Sequence, residues 1–188
     1  MRRFLAALAL LLLTALPAAA APAPVWTVDK GASKIAFASS FGGEGFNGGF
    51  RKWDAAIRFD PANLAGSSVT AIIDMTSGFS GDPDRDASLP GTAWFAAKAY
   101  PKAVFKSTSF KALGGNRYEA RGTLTLRGVS KPLTLPFTLV ITGDQAKMNA
   151  TVGISRLAFG VGQNEWKTTE VVPDKVTVTI QLSARRQK

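Results

Sequence analysis

The chain has 188 residues, 46% of them hydrophobic, with 18 glycines, 10 prolines and a formal charge of +10, the length and balance of one globular domain. It contains no cysteine and no histidine. Those absences exclude disulfides, thiol catalysis and thioether-bound haem, and they remove the commonest general base and the commonest transition-metal ligand.

Met1-Arg2-Arg3 is a positive n-region, Phe4 to Leu16 is an almost unbroken apolar run, and Pro17 to Ala21 ends it with small residues. This is the pattern of a secretory signal peptide. The run is shorter than the roughly 20 residues that a membrane-spanning helix needs. Ala18 and Ala20 satisfy an A-x-A cleavage rule, so residues 1–20 are read as the signal and residues 21–188 as one exported, periplasmic domain. Losing Arg2 and Arg3 leaves that domain at +8. Its basic residues are scattered singly, as at Lys34, Arg51, Arg58, Arg121 and Lys175, apart from the tail Arg185-Arg186-Gln187-Lys188. Export and the absence of a basic run argue against nucleic acid. Attraction to an anionic membrane surface and plain solvation of strand faces both fit the charge.

Trp26 to Phe37 reads as a strand, a turn at Lys30-Gly31-Ala32, and a second strand with Ser33, Ile35 and Phe37 on one face. Phe46, Gly48 and Phe50 then share an inner face, where glycine marks a bend or a close approach. From Trp53 the inner parity becomes odd (Trp53, Ala55, Ile57, Phe59), which requires a bulge or turn near Lys52. Ser67 to Asp74 is another strand. Asp82-Pro83-Asp84-Arg85 starts a short helix reaching about Leu89, with an acidic cap and proline at its first position. Ala103, Phe105 and Ser107 alternate in the next strand.

Tyr118 to Ile141 contains the clearest alternation. Tyr118, Ala120, Gly122, Leu124 and Leu126 face one way, and Leu133, Leu135, Phe137, Leu139 and Ile141 resume after a break at Gly128–Pro132, which predicts a hairpin turning there. Met148, Ala150, Val152 and Ile154 alternate next, and Val176, Val178, Ile180 and Leu182 form a closing strand. About eight hairpin-linked strands with regular turn signals predict an all-β antiparallel barrel or sandwich.

Few residues offer chemistry. Asp82, Asp84 and Asp86 begin like a calcium loop, but Ala87 and Ala93 stand where that loop needs glycine and glutamate. Ser130 beside Lys131 shows neither a depressed lysine nor an oxyanion hole. Glu44, Glu119, Glu165 and Glu170 form no recognisable acid–base pair. The aromatics are the positive signal, with 12 Phe and 4 Trp but only 2 Tyr. Inward aromatics pack a core, and a closed eight-stranded barrel also has room for one apolar guest.

The stretch GTLTLRGVSKPLTLPF resembles the G-x-L-T-I-x-G-V-T-K-P-V-x-L hairpin of the YceI-like, polyisoprenoid-binding, lipocalin-like family. Trp26-Thr27-Val28-Asp29, Gly48 and Phe50, Ile57 to Pro61, Arg85-Asp86, Trp94-Phe95, and Tyr100-Pro101 with Phe105 agree in order, from about Trp26 to Leu182. The resemblance implies a lipocalin-like barrel that holds a long apolar chain without transforming it, for storage or transport. The ligand-lining residues it implies are Phe37, Phe46, Phe50, Trp53, Phe59, Trp94, Phe95, Phe105, Phe137, Phe159 and Trp166. Gly48 and Gly122 would leave space in the lumen, and Asn47, Arg51 and Gln163 would meet a head group. No catalytic residue, metal or resident cofactor is implied. Phe159 to Trp166 resembles the F-G-V-G-Q-G-E-W segment of a YceI-like subgroup, some members of which occur with b-type cytochrome membrane domains, with Asn164 in place of glycine. That adds a quinone to polyprenyl lipid as a candidate guest. The competing readings are an interaction module of a membrane redox complex and, less favoured, a lipid-modifying enzyme.

Overall fold

The computed structural model describes residues 22–188, so the expected signal peptide lies outside the described residues. The strands are β1 (Val25–Val28), β2 (Lys34–Phe41), β3 (Glu44–Phe50), β4 (Trp53–Arg58), β5 (Ser68–Asp74), β6 (Gly78–Phe79), β7 (Lys102–Gly114), β8 (Arg117–Leu126), β9 (Val129–Thr142), β10 (Gln145–Ser155) and β11 (Lys175–Arg186). Every pairing is antiparallel. The order β1-β4-β5-β7-β8-β9-β10-β11 closes through β1 on β11, giving an eight-stranded barrel. Closure removes the sheet edges that would otherwise expose unpaired backbone.

The extra strands come from breaks in the first three barrel strands. β11 pairs its C-terminal end with β1 and its middle with β2, so β1 and β2 run along one neighbour in succession. β3 follows β2, and β6 follows β3. At the break after β3, the Arg51 amide donates to the Ser77 carbonyl and the Asp74 amide donates to the Lys52 carbonyl. The expected parity change near Lys52 is therefore a break in the strand at Arg51-Lys52, bridged to the last residue of β5 and to Ser77 just after it.

Two details differ from the sequence expectation. The β8–β9 turn is tighter than Gly128–Pro132: Leu126 pairs with Val129, and Arg127 and Gly128 take φ of 51° and 74°. That is the two-residue turn whose twist suits a hairpin. Pro132 thus lies inside β9, in the half that pairs with β8 but carries no ladder to β10, where a missing N–H is tolerated. The second difference is in β7. Its register shifts between Ser107 and Ser109, so one extra residue opposes β8. The shift flips parity, and Phe105 and Phe110 both end up inside although they are five positions apart.

The far end of the barrel is closed by aromatics. Phe59 meets Phe110, Tyr118 and Phe137 at ring separations of 5.3, 5.5 and 6.0 Å, and Tyr118 stacks on Phe137 at 5.4 Å. Such pairs contribute about 0.5–1.5 kcal/mol each beyond area burial. The Trp26 indole donates to the Phe59 carbonyl at 2.9 Å, so its one polar atom is satisfied. The other end is covered by the helix α1 (Pro83–Ser88), by segment 89–101 and by segment 156–174. Asp82 caps α1 by accepting from the Arg85 amide, and Pro83 occupies the first turn, as its sequence predicts.

Candidate functional site: the barrel lumen

Alternation aims one row of each strand into the barrel, and these rows enclose two cavities. The outer one, about 370 Å³, lies under the covering segments, and its volume is within the ~300–1,000 Å³ of small-molecule sites. Phe37, Phe46 and Phe50 line it from β2 and β3, Trp94 and Phe95 from segment 89–101, and Trp166 from segment 156–174. The inner cavity, about 180 Å³, is lined by apolar side chains alone, among them Trp53, Phe59, Phe105 and Phe137. Phe110, which the sequence reading missed, joins them through the β7 bulge. Ile35, Ile73, Leu124, Ile154 and Val178 border both cavities, so the chambers are stacked on a waist of branched aliphatic side chains. Phe159 is different. It is buried at 5% exposure in the packed core and lines neither chamber.

The inward glycines do not hold space open for a guest. A Cβ on Gly48 would lie 2.2 Å from the Phe79 carbonyl oxygen and 2.4 Å from the Phe37 ring. One on Gly122 would lie 2.8 Å from the Phe105 ring. Phe37 is the register partner of Gly48. Each glycine is therefore the floor on which a neighbouring phenylalanine lies, the arrangement by which aromatics cover glycine in curved sheets. The lumen is bounded by those rings.

The mouth is organised by Arg156, which sequence reasoning did not single out. It is 3% exposed. Its five N–H groups are all used on backbone carbonyls: Nε on Pro173, one terminal nitrogen on Val161 and Trp166, the other on Thr168 and Val172, at 2.7–3.0 Å. A planar fork with five donors suits this task and lysine does not. Burial lowers its pKa, and the nearby Asp174 charge pushes the other way. Gly162, at φ 90°, lets the guanidinium lie against the backbone, since a Cβ there would fall 1.9 Å from it. The Gly162 and Gln163 amides both donate to the Ala93 carbonyl, tying the two covering segments together, and Arg127 of the β8–β9 turn donates to the Thr92 carbonyl, fastening segment 89–101 to the barrel. Asn164 holds φ of 59°, the left-handed backbone that glycine would adopt there, so the substitution preserves the turn.

Few polar side chains reach the chambers. Ser39, Ser80, Asp84, Arg85, Ser88 and Arg156 border the outer one. Asn47, Arg51 and Gln163 do not. Asn47 points outward because Phe46 and Gly48 point in, Arg51 stacks outside on the Phe79 ring at 4.2 Å, and Gln163 donates to carbonyls of its own turn. Asp86 accepts from Ser80, and Asp82 caps α1, so these acids serve local structure. Among the described residues no cluster of three or more His, Cys, Asp or Glu is placed to hold a metal. The Ser130 hydroxyl shares a hydrogen bond with Thr125 at 2.8 Å, and Lys131 is exposed.

Residues 26–184 match the YceI-like domain. The chain belongs to the YceI-like family. A UPF0312 protein of Vibrio cholerae is 34% identical over 169 residues, covering 86% of this chain and 89% of that protein. The crystal structure of Burkholderia cenocepacia BcnA superposes with a TM-score of 0.80 at 36% identity, covering 84% of this chain and 99% of that one. A polyisoprenoid binding domain from Saccharophagus degradans, implicated in plant cell wall breakdown, shares the fold at a TM-score of 0.67 and 14% identity, covering 87% of this chain and 99% of its own. In this YceI-like chain the resembling residues fall into both halves of the barrel. Trp26 and Phe59 seal the far end, while Trp94 and Phe95 cover the mouth.

Proposed function

We propose that this YceI-like protein is exported to the periplasm and carries an isoprenoid or similar long-chain amphiphile, a polyprenyl lipid or a quinone, in its lumen without transforming it. The observation that carries the proposal is the pair of stacked chambers, the inner one walled only by apolar side chains. A wholly apolar chamber closed at its far end accepts a hydrocarbon tail and offers nothing to an ion. Each buried methyl or methylene contributes about 0.8 kcal/mol, so ten of them give ~8 kcal/mol, the scale of micromolar affinity before the cost of association is subtracted. The Saccharophagus degradans domain with this fold is described as polyisoprenoid binding, which agrees with such a guest. No nucleophile–base pair or metal cluster borders the chambers among the described residues, which favours binding over catalysis.

The test is mass spectrometry of lipid extracted from the protein purified from its native cell. A stoichiometric isoprenoid or quinone is expected. Protein that is folded and recovered with no co-purifying amphiphile contradicts the carrier reading. Recovery of an intact Met1 on protein outside the cytoplasm contradicts the export reading.

A further inference from the structure

Ser39 is out of place in its row. The inward positions of β2 are Ile35, Phe37, Ser39 and Phe41, all bordering the outer chamber. The Ser39 hydroxyl oxygen is buried, and among the described residues it has no hydrogen-bond partner. A buried hydroxyl without a protein partner carries a desolvation penalty, and one beside a cavity is open to a hydrogen bond with a ligand atom or a water. Its register partner on β3 is Phe46. The Arg85 guanidinium lies over the Phe46 ring, 4.6 Å from its centre, so Ser39 and Arg85 flank one patch of the chamber wall.

The charge around that patch decides what kind of head it accepts. Arg85 is partly engaged: Nε donates to Ser80 at 3.2 Å, and a terminal nitrogen is ion-paired with the Asp82 carboxylate at 3.9 Å. Asp86 accepts from Ser80 on the same side, and Asp84 borders the chamber. Three carboxylates thus accompany the one guanidinium of α1. The second cation at the chamber, Arg156, has every N–H committed to a carbonyl. A phosphate entering here would meet three carboxylates against one guanidinium that they already hold electrostatically. An uncharged oxygen would meet one waiting hydroxyl.

We propose that Ser39, across from Phe46 and Arg85, is the head-group station of the outer chamber, and that it takes an uncharged hydroxyl or carbonyl head and discriminates against phosphate. This rests on the carrier reading above and assigns the orientation: tail across the waist into the inner chamber, head under α1. Ser39 contributes specificity through a single hydrogen bond, and the apolar walls contribute the bulk of the affinity.

The experiment uses the mature protein, delipidated, with three probes of one branched carbon skeleton: geranylgeraniol, geranylgeranyl phosphate and phytane, the saturated hydrocarbon without a head. Titrations at neutral pH and low salt compare the wild type with Ser39→Ala and Arg85→Met. Geranylgeraniol is expected to bind at least about tenfold more tightly than the phosphate. Ser39→Ala should weaken the alcohol by about three- to tenfold, the scale of one hydrogen bond, and leave phytane unchanged. Arg85→Met should weaken any residual phosphate binding more than alcohol binding. Phosphate binding equal to or tighter than alcohol overturns the proposal. So does a Ser39→Ala variant that moves alcohol and phytane together, or neither. If all three probes bind the wild type alike, the head-group assignment fails and the carrier reading stands. If none binds, both fail.

Discussion

Replacing Arg156 by methionine would remove five hydrogen-bond donors from beneath the mouth and keep a long unbranched side chain in their place. The carbonyls of Val161, Trp166, Thr168, Val172 and Pro173 would lose their partner together. A buried carbonyl left unpaired costs about 1–3 kcal/mol. Five such costs would rival the roughly 5–15 kcal/mol of a whole domain. The protein has a cheaper route, because segment 156–174 can open and return its carbonyls to water. The expected loss is therefore the ~3–5 kcal/mol typical of breaking a buried charged network, and it should appear as local opening. Hydrogen exchange is the assay. Amides of Gly160, Val161, Gly162 and Gln163 should exchange roughly a hundred- to a few thousand-fold faster, while the β8–β9 ladder keeps its protection. Arg156→Lys, with three donors and no planar fork, should fall between the two. Unchanged exchange across 156–174 in a folded Arg156→Met variant would refute the view that this one side chain holds the mouth together.

Gly48→Ala should lower the unfolding midpoint sharply, because the new Cβ meets the Phe79 carbonyl oxygen at 2.2 Å, whereas Gly45→Ala, with nothing within 4 Å, should change it little; equal midpoints in thermal melts would contradict the packing described. Leu124→Ala should open the waist at a cost of about 2–5 kcal/mol in stability and raise affinity for long-tailed isoprenoids relative to short ones, with an unchanged ratio in a chain-length series as the contrary result. The Asp74 carboxylate accepts from the Thr76 hydroxyl and amide, which in that order hold its pKa below the ordinary carboxylate value. Its stabilising contribution is thus present above about pH 4 and lost as the pH falls through the lowered value, and Asp74→Asn should flatten that part of the acid unfolding curve.

Alternation made most of this barrel legible, because a strand with one buried face writes its register into every second residue. The parity change between Phe50 and Trp53 by itself requires a break near Lys52, and the strand breaks at Arg51-Lys52. The same reasoning applied to Phe105 and Phe110 would have found the β7 bulge, since their opposite parity cannot be reconciled on a regular strand. The β8–β9 turn is tighter than the sequence predicts because proline reads locally as a turn residue. What admits Pro132 to a strand is the missing ladder on its β10 side, a tertiary fact with no local trace. Arg156 was invisible for a similar reason: four of its five bonds reach residues 10 to 17 positions away, in a segment whose path is set by those bonds. Gly48 and Gly122 are legible as inner-face positions, but not as seats for a neighbouring ring. Glycine on an inner face can leave room for a guest or for a neighbour's ring, and only the cross-strand register decides between them.

The central claim is that the lumen holds an apolar chain, and titration of the delipidated protein with a long-tailed isoprenoid, at low and at high salt, tests it most directly. Burial of hydrocarbon is insensitive to screening, unlike docking through a basic surface. The account predicts saturable one-to-one binding whose affinity changes little with salt and falls when Phe37, on the outer chamber, is replaced by alanine. A folded barrel that binds no isoprenoid, or one whose binding disappears at high salt, would contradict it.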